Sequence, residues 1–170
     1  MLLSPSAREE IVAKIQLLDC ETGAEGVTMY DSVVVGLAPS SFDYGNLNVA
    51  FRIIKGETGA LTQGIVPLIA THKAKYVQTE SGLLSLGPGP FVTALEYATG
   101  VKATVVGKPT RKFFETVMNN FSDTEVPDSG TGRIAVIGDD IEADLGEGAV
   151  ELNLWRILGK LLLFFFFFFT

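Results

Sequence analysis

Four short β-branched runs recur along the chain: SVVVGLA at 32–38, VPLIATH at 66–72, KATVVG at 102–107 and IAVIG at 134–138. Stretches with helical spacing lie between them, and this alternation limits the fold more than any other feature. Strands that alternate with crossover helices pair in parallel, so the expected class is α/β with a largely parallel sheet. Ser6 with Glu9 three residues later is a capping-box pattern, which predicts an amphipathic helix over Ala7–Leu18. Leu47, Ala50, Phe51 and Ile54 recur at three- and four-residue steps and predict a second helix over 43–55. Further helices are expected at Phe91–Thr99 and at 110–121, the latter with Pro109 near its first turn. GEGAVELNLWRIL at 146–158 reads as a helix leading into a last strand. GLLSLGPGP at 82–90 and PDSGTG at 127–132 read as loops, because glycine and proline at that density break regular elements.

Composition enters as a set of exclusions. Nearly half of the 170 residues are apolar, enough to bury a sizeable core, and the net charge is −7. Nucleic-acid phosphates call for a basic stripe, and here the basic residues are few and scattered. The same scatter argues against an anionic membrane surface. Cys20 is the only cysteine, so no internal disulfide is expected and a reducing, cytoplasmic setting fits. MLLSPSAREE has no basic region or long apolar stretch of the signal-peptide kind. Residues 161–170, LLLFFFFFFT, hold nine consecutive apolar residues. That is far short of the roughly 20 needed to span a bilayer, and it fits neither strand nor helix period. The tail is expected to lie outside the fold, as a translated intron end in an erroneous gene model would.

The chemistry concentrates in two places. IAVIGDDIEAD ends a strand at Gly138 and delivers Asp139, Asp140, Glu142 and Asp144, oxygen donors suited to a hard cation such as magnesium. VVGKPTRKFF puts Lys108 between a strand and a helix start, the edge where ligands bind in open α/β sheets. A Walker A loop is excluded, since Lys102 stands where its first glycine belongs and Pro109 replaces the Ser/Thr. An EF-hand is excluded by Leu145 at the glycine position. One helix and one strand separate Lys108 from Asp139. That β-α-β step predicts both at the carboxyl edge of neighbouring strands, a phosphate-binding lysine beside a metal-binding aspartate. His72, the only histidine, ends a strand and reads as structural, with contact to a substrate as the alternative; Cys20 reads as an inert thiol, and Trp155, Phe113 and Phe114 as core.

LGPGPFVTALEYATGVKATVVGKPT (86–110) followed by GDDIEADLG (138–146) resembles the haloacid dehalogenase-like phosphatases. The resemblance is dense over about 33–157 and most specific at 86–109 and 137–149. It implies a magnesium-dependent phosphatase acting through an aspartyl-phosphate on a small phosphorylated molecule or phosphoamino acid. It implies that Lys108 steadies the phosphoryl group, Asp139 binds magnesium and Asp144 supports the metal site. Asp140 and Glu142 are then solvated neighbours. It further implies that residues 1–105 form an α/β cap segment, with a possible homodimer through it. Residues 106–160 then form the C-terminal part of a Rossmann-like core. The family's nucleophile motif, DxDGT, does not occur in this sequence; the nearest stretch is DCETG, with Asp19 and Glu21 in the wrong context. The expectation is therefore a truncated chain, inactive alone; the alternative is a non-catalytic interaction or dimerisation module. Glu147 interrupts a usual glycine pair, Asn153 stands where glycine is common, and Gly159–Lys160 falls where the family runs on.

Overall fold

A computed structural model describes residues 1–14, 30–57, 66–79, 81–120 and 134–159. Asp19, Cys20, Glu21, the PDSGTG loop and the 161–170 tail lie outside the described residues, as does the far end of the first expected helix. The chain divides into two compact units, Met1–Val106 and Gly107–Thr170.

The first unit runs α1 (Pro5–Lys14), β1 (Val33–Val35), α2 (Tyr44–Ile54), β2 (Leu68–Ala70), β3 (Tyr76–Gln78), β4 (Leu84–Leu86), α3 (Gly89–Thr99) and β5 (Thr104–Val105). β2 is central and pairs in parallel with β1 and β5, while Leu2 bridges Val35 on the outer side of β1. Val35, Leu68 and Ala70 are fully or almost fully buried, joined by Ile54 of α2 and Val92 of α3. That arrangement explains the unbroken β-branched runs, because helix-covered parallel strands need apolar side chains on both faces. α2 starts where Asp43 Oδ1 accepts the Asn46 amide at 2.9 Å. Its Ala50, Ile53 and Ile54 face the core, with Leu47 and Phe51 packed at its margin. Glu96 of α3 is buried, accepts from Lys73 Nζ at 2.7 Å and from the Ala103 amide at 2.9 Å. Burial alone would raise its pKa; those two donors outweigh it and hold the carboxyl below the usual range.

Two expectations in this unit need correction. The first helix is capped by Ser4, whose Oγ accepts the Ala7 amide at 3.3 Å, not by Ser6. Pro5 takes the first helical position, where its missing N–H costs nothing, so the cap falls earlier than expected. α1 is also only weakly amphipathic: Ala7 and Ile11 are half-buried and no side chain of Pro5–Ala13 is fully buried. The stretch 82–90 is not all loop. Leu84–Leu86 forms β4, antiparallel to β3 with Tyr76 opposite Leu86 and Gln78 opposite Leu84. α3 then starts at Gly89, with Pro90 in the first turn, where a missing N–H is tolerated.

The second unit comprises α4 (Arg111–Met118), β6 (Ala135–Gly138), α5 (Glu147–Glu151) and β7 (Trp155–Leu158). β6 and β7 pair in parallel, Ala135 opposite Trp155 through Gly138 opposite Leu158. The expected helix and last strand after the acids are thus both present. The strand entering the acids is not buried, however: Ile137 is 72 % exposed, and on β7 Trp155 is 54 % exposed. At that exposure Trp155 is not core. Phe114 is buried with Phe113 edge-on to it at 5.3 Å, as the core reading expected. Among the described residues no helix is long and apolar enough to cross a membrane.

Candidate functional site

Lys108 lies two residues before Thr110, the N-cap of α4. The Thr110 hydroxyl donates to the Gly107 carbonyl at 2.8 Å and accepts the Phe113 amide at 3.4 Å. This closes a tight loop over 107–110, so the lysine is displayed from a pinned backbone rather than from a helix face. The peptide bond between Lys108 and Pro109 is cis.

The acids leave β6 in a turn that Asp140 itself builds. Its Oδ1 accepts the amides of Glu142 and Ala143, each at 2.8 Å. Asp140 is thus structural, not merely a solvated neighbour, because short side-chain acceptors satisfy amides that a tight turn leaves unpaired. Asp144 returns at the end of the turn and meets Lys108: Nζ donates to Oδ1 at 2.6 Å. The amide of Asp140 reaches Oδ2 of the same carboxylate at 3.3 Å. The Lys108 hydrogen bond holds the Asp144 carboxyl below its ordinary pKa; burial pushes the other way and loses, while the amides of Asp140 and Asp139 add to the lowering. Asp139 is exposed at the strand end, and Glu142 is exposed on the turn. His72, half-buried, follows β2 in the first unit.

The structure thus brings Lys108 and Asp144 together directly, with Asp139 at the start of the same turn. β5 lies in the sheet of the first unit, and β6 pairs with β7 in the second. Within the second unit α5 docks on the lysine loop, the Gly148 amide donating to the Pro109 carbonyl at 2.8 Å. Two glycines permit these approaches. A Cβ on Gly138 would lie 2.3 Å from Cβ of Asp144, and one on Gly148 would lie 2.4 Å from the Arg111 backbone nitrogen. Neither glycine stood out as functional in the sequence, and the only signal was their place beside the acids in IGDD and GEGA.

The carboxylate oxygens are of the type magnesium takes. Among the described residues no group of three or more His, Cys, Asp or Glu is arranged to hold a metal. Magnesium needs fewer protein ligands than that: it keeps waters and commonly rests on one or two carboxylates plus substrate phosphate. The exposed Asp139 fits as one such ligand.

No family model matches the sequence. The chain is 47 % identical over 134 residues to human haloacid dehalogenase-like hydrolase domain-containing protein 2, covering 76 % of this chain and 44 % of that protein. It is 38 % identical over 114 residues to human phospholysine phosphohistidine inorganic pyrophosphate phosphatase, covering 67 % of this chain and 37 % of that protein. Among solved structures it resembles a glycerol phosphate phosphatase from Mycobacterium tuberculosis in complex with magnesium. That likeness has a TM-score of 0.54 and 30 % identity, over 75 % of this chain and 33 % of the other. The chain spans less than half the length of the curated relatives it matches.

Proposed function

The chain is a homologue of the haloacid dehalogenase-like hydrolases, and on that premise we propose that its second unit carries the phosphate and metal residues of a magnesium-dependent phosphatase. The substrate class is a small phosphorylated molecule or phosphoamino acid. The observation that carries this reading is the Lys108–Asp144 pair at 2.6 Å on the acid turn that begins with Asp139. A lysine ammonium beside a phosphoryl group donates hydrogen bonds to oxygens on which charge develops during transfer. Asp144 holds that ammonium by a short charge-assisted bond and so fixes where it points. Asp139 would hold magnesium, which supplies further charge neutralisation to the phosphoryl group when bound.

Transfer through an aspartyl-phosphate also needs an aspartate nucleophile. The sequence has no DxDGT motif, so these 170 residues are read as binding phosphate and magnesium without turning over by themselves. The missing motif also favours a second reading, a non-catalytic interaction module that dimerises through residues 1–105. Calorimetric titration with magnesium in the presence of inorganic phosphate separates the two. Under the phosphatase reading the chain binds magnesium, and Asp139→Ala weakens it by roughly tenfold or more. Lys108→Ala should leave magnesium binding and remove the increment that phosphate adds. Identical heats for the chain and both variants would sink the phosphatase reading, and rapid hydrolysis of p-nitrophenyl phosphate by the chain alone would sink its inactivity.

A further inference from the structure

Gly148 is buried, and a Cβ on it would lie 2.4 Å from the Arg111 nitrogen, 2.5 Å from Arg111 Cα and 2.6 Å from the Thr110 carbonyl carbon. All three are main-chain atoms, so no side-chain rotation relieves the clash; the backbones themselves would have to part. They are held together by the Gly148 amide donating to the Pro109 carbonyl at 2.8 Å. Pro109 is the residue after Lys108, and Asp144 stands about one helical turn's worth of chain before Gly148. The two segments therefore meet twice, backbone to backbone at Gly148 and through side chains at Lys108 and Asp144. Two attachment points fix both the distance and the orientation of one segment against the other. A lone ion pair with a half-exposed lysine does neither, because a long side chain retains much rotamer freedom.

We infer that Gly148 is a positioning residue for Lys108: its missing side chain lets α5 seat directly on the 109–111 backbone and so sets the ammonium against the acid turn. The inference rests on the phosphatase reading only for what that placement serves; the placement itself stands on the contacts above. An enlarged residue at 148 lifts α5 off the lysine loop and separates Lys108 from Asp144 without touching either side chain.

The test uses the full chain with nitrogen-15 lysine. An ammonium held by a carboxylate exchanges its protons slowly enough to give a side-chain signal in the cold, and substitution Lys108→Arg assigns it. The expected result is a Lys108 signal in the unaltered chain that is lost in Gly148→Ala, while amide shifts of the first unit stay unchanged. A purely space-filling role for Gly148 leaves the Lys108 signal in place, and that outcome overturns the inference. Should Gly148→Ala unfold the second unit, hydrogen exchange of the unaltered chain decides. The Gly148 amide must then be protected at least as well as the amides of α4, and free exchange overturns the inference. Asp144→Asn should abolish the Lys108 signal yet keep the Gly148 amide protected; loss of both overturns the idea that the backbone seat stands independently of the ion pair. Magnesium with inorganic phosphate, added to the same samples, keeps the two readings apart. No magnesium response with the Lys108 signal intact sinks the phosphatase reading and leaves the positioning role of Gly148 standing.

Discussion

At 2.6 Å, Lys108 and Asp144 have given up part of their hydration for one charge-assisted hydrogen bond, and the sign of its pH dependence follows from Asp144. Its carboxyl titrates lower in the folded chain than its ordinary value, so the folded state binds fewer protons. The stabilisation is full above the unfolded value of about 3.9 and is lost as pH falls through the lower folded value. The lysine is half exposed, which limits the whole effect to about 1 kcal/mol or less. Trp155, the only tryptophan, reports on the second unit alone. Unfolding followed by its fluorescence should show Asp144→Asn less stable than the parent at about pH 6, with the gap closing as pH falls below the unfolded value of about 3.9. A gap that stays constant over that range would assign the loss to packing instead of to the charge pair.

At the scale of elements, α5 shows how a departure from the expected glycine is absorbed. Asn153 follows the C-cap Leu152 with φ +53°, the left-handed region where asparagine is the best tolerated residue after glycine. Its amide donates to the Val150 carbonyl at 2.9 Å and the Leu154 amide donates to the Ala149 carbonyl at 3.0 Å, the paired bonds of a Schellman cap. Asn153→Ala should therefore cost about 1–2 kcal/mol, the penalty for a Cβ in that region, whereas Asn153→Gly should be close to neutral. Denaturant unfolding of the two variants checks this, and equal losses for both would mean that the asparagine side chain, not the backbone angle, carries the cap. Strong periodicity and the observed helix coincide in α2. The strand at Leu84–Leu86 leaves no such mark, because three residues bounded by glycine and proline are too few to show a period of two.

For the second unit as a whole, the exposure of its sheet matters most. Ile137, Ile141, Trp155, Ile157 and Leu158 are each between 45 % and 72 % exposed, a cluster larger than isolated surface apolar residues usually make. Acrylamide should quench Trp155 measurably in the folded chain, because about half of its surface is exposed, though less readily than in the unfolded chain. Strong protection from quencher would show that this face is covered in solution.

The strand–helix alternation, the parallel pairing within the first unit and the resemblance to the haloacid dehalogenase-like hydrolases are all legible in the linear sequence. Lys108 and Asp139 stand out there too, because strand ends and acid runs are local signals, while Asp144 is picked out from its neighbours by the resemblance. How those residues meet follows from three-dimensional packing. A lysine at 108 and an acid at 144 find each other through a backbone seat at Gly148 and a turn tied by Asp140. Which main-chain segments approach closely enough to exclude a side chain is a property of packing between distant segments. The exposure of Trp155 is another such property, since an aromatic residue in a strand reads the same whether or not another layer covers it. One chain's linear pattern carries no local mark of either.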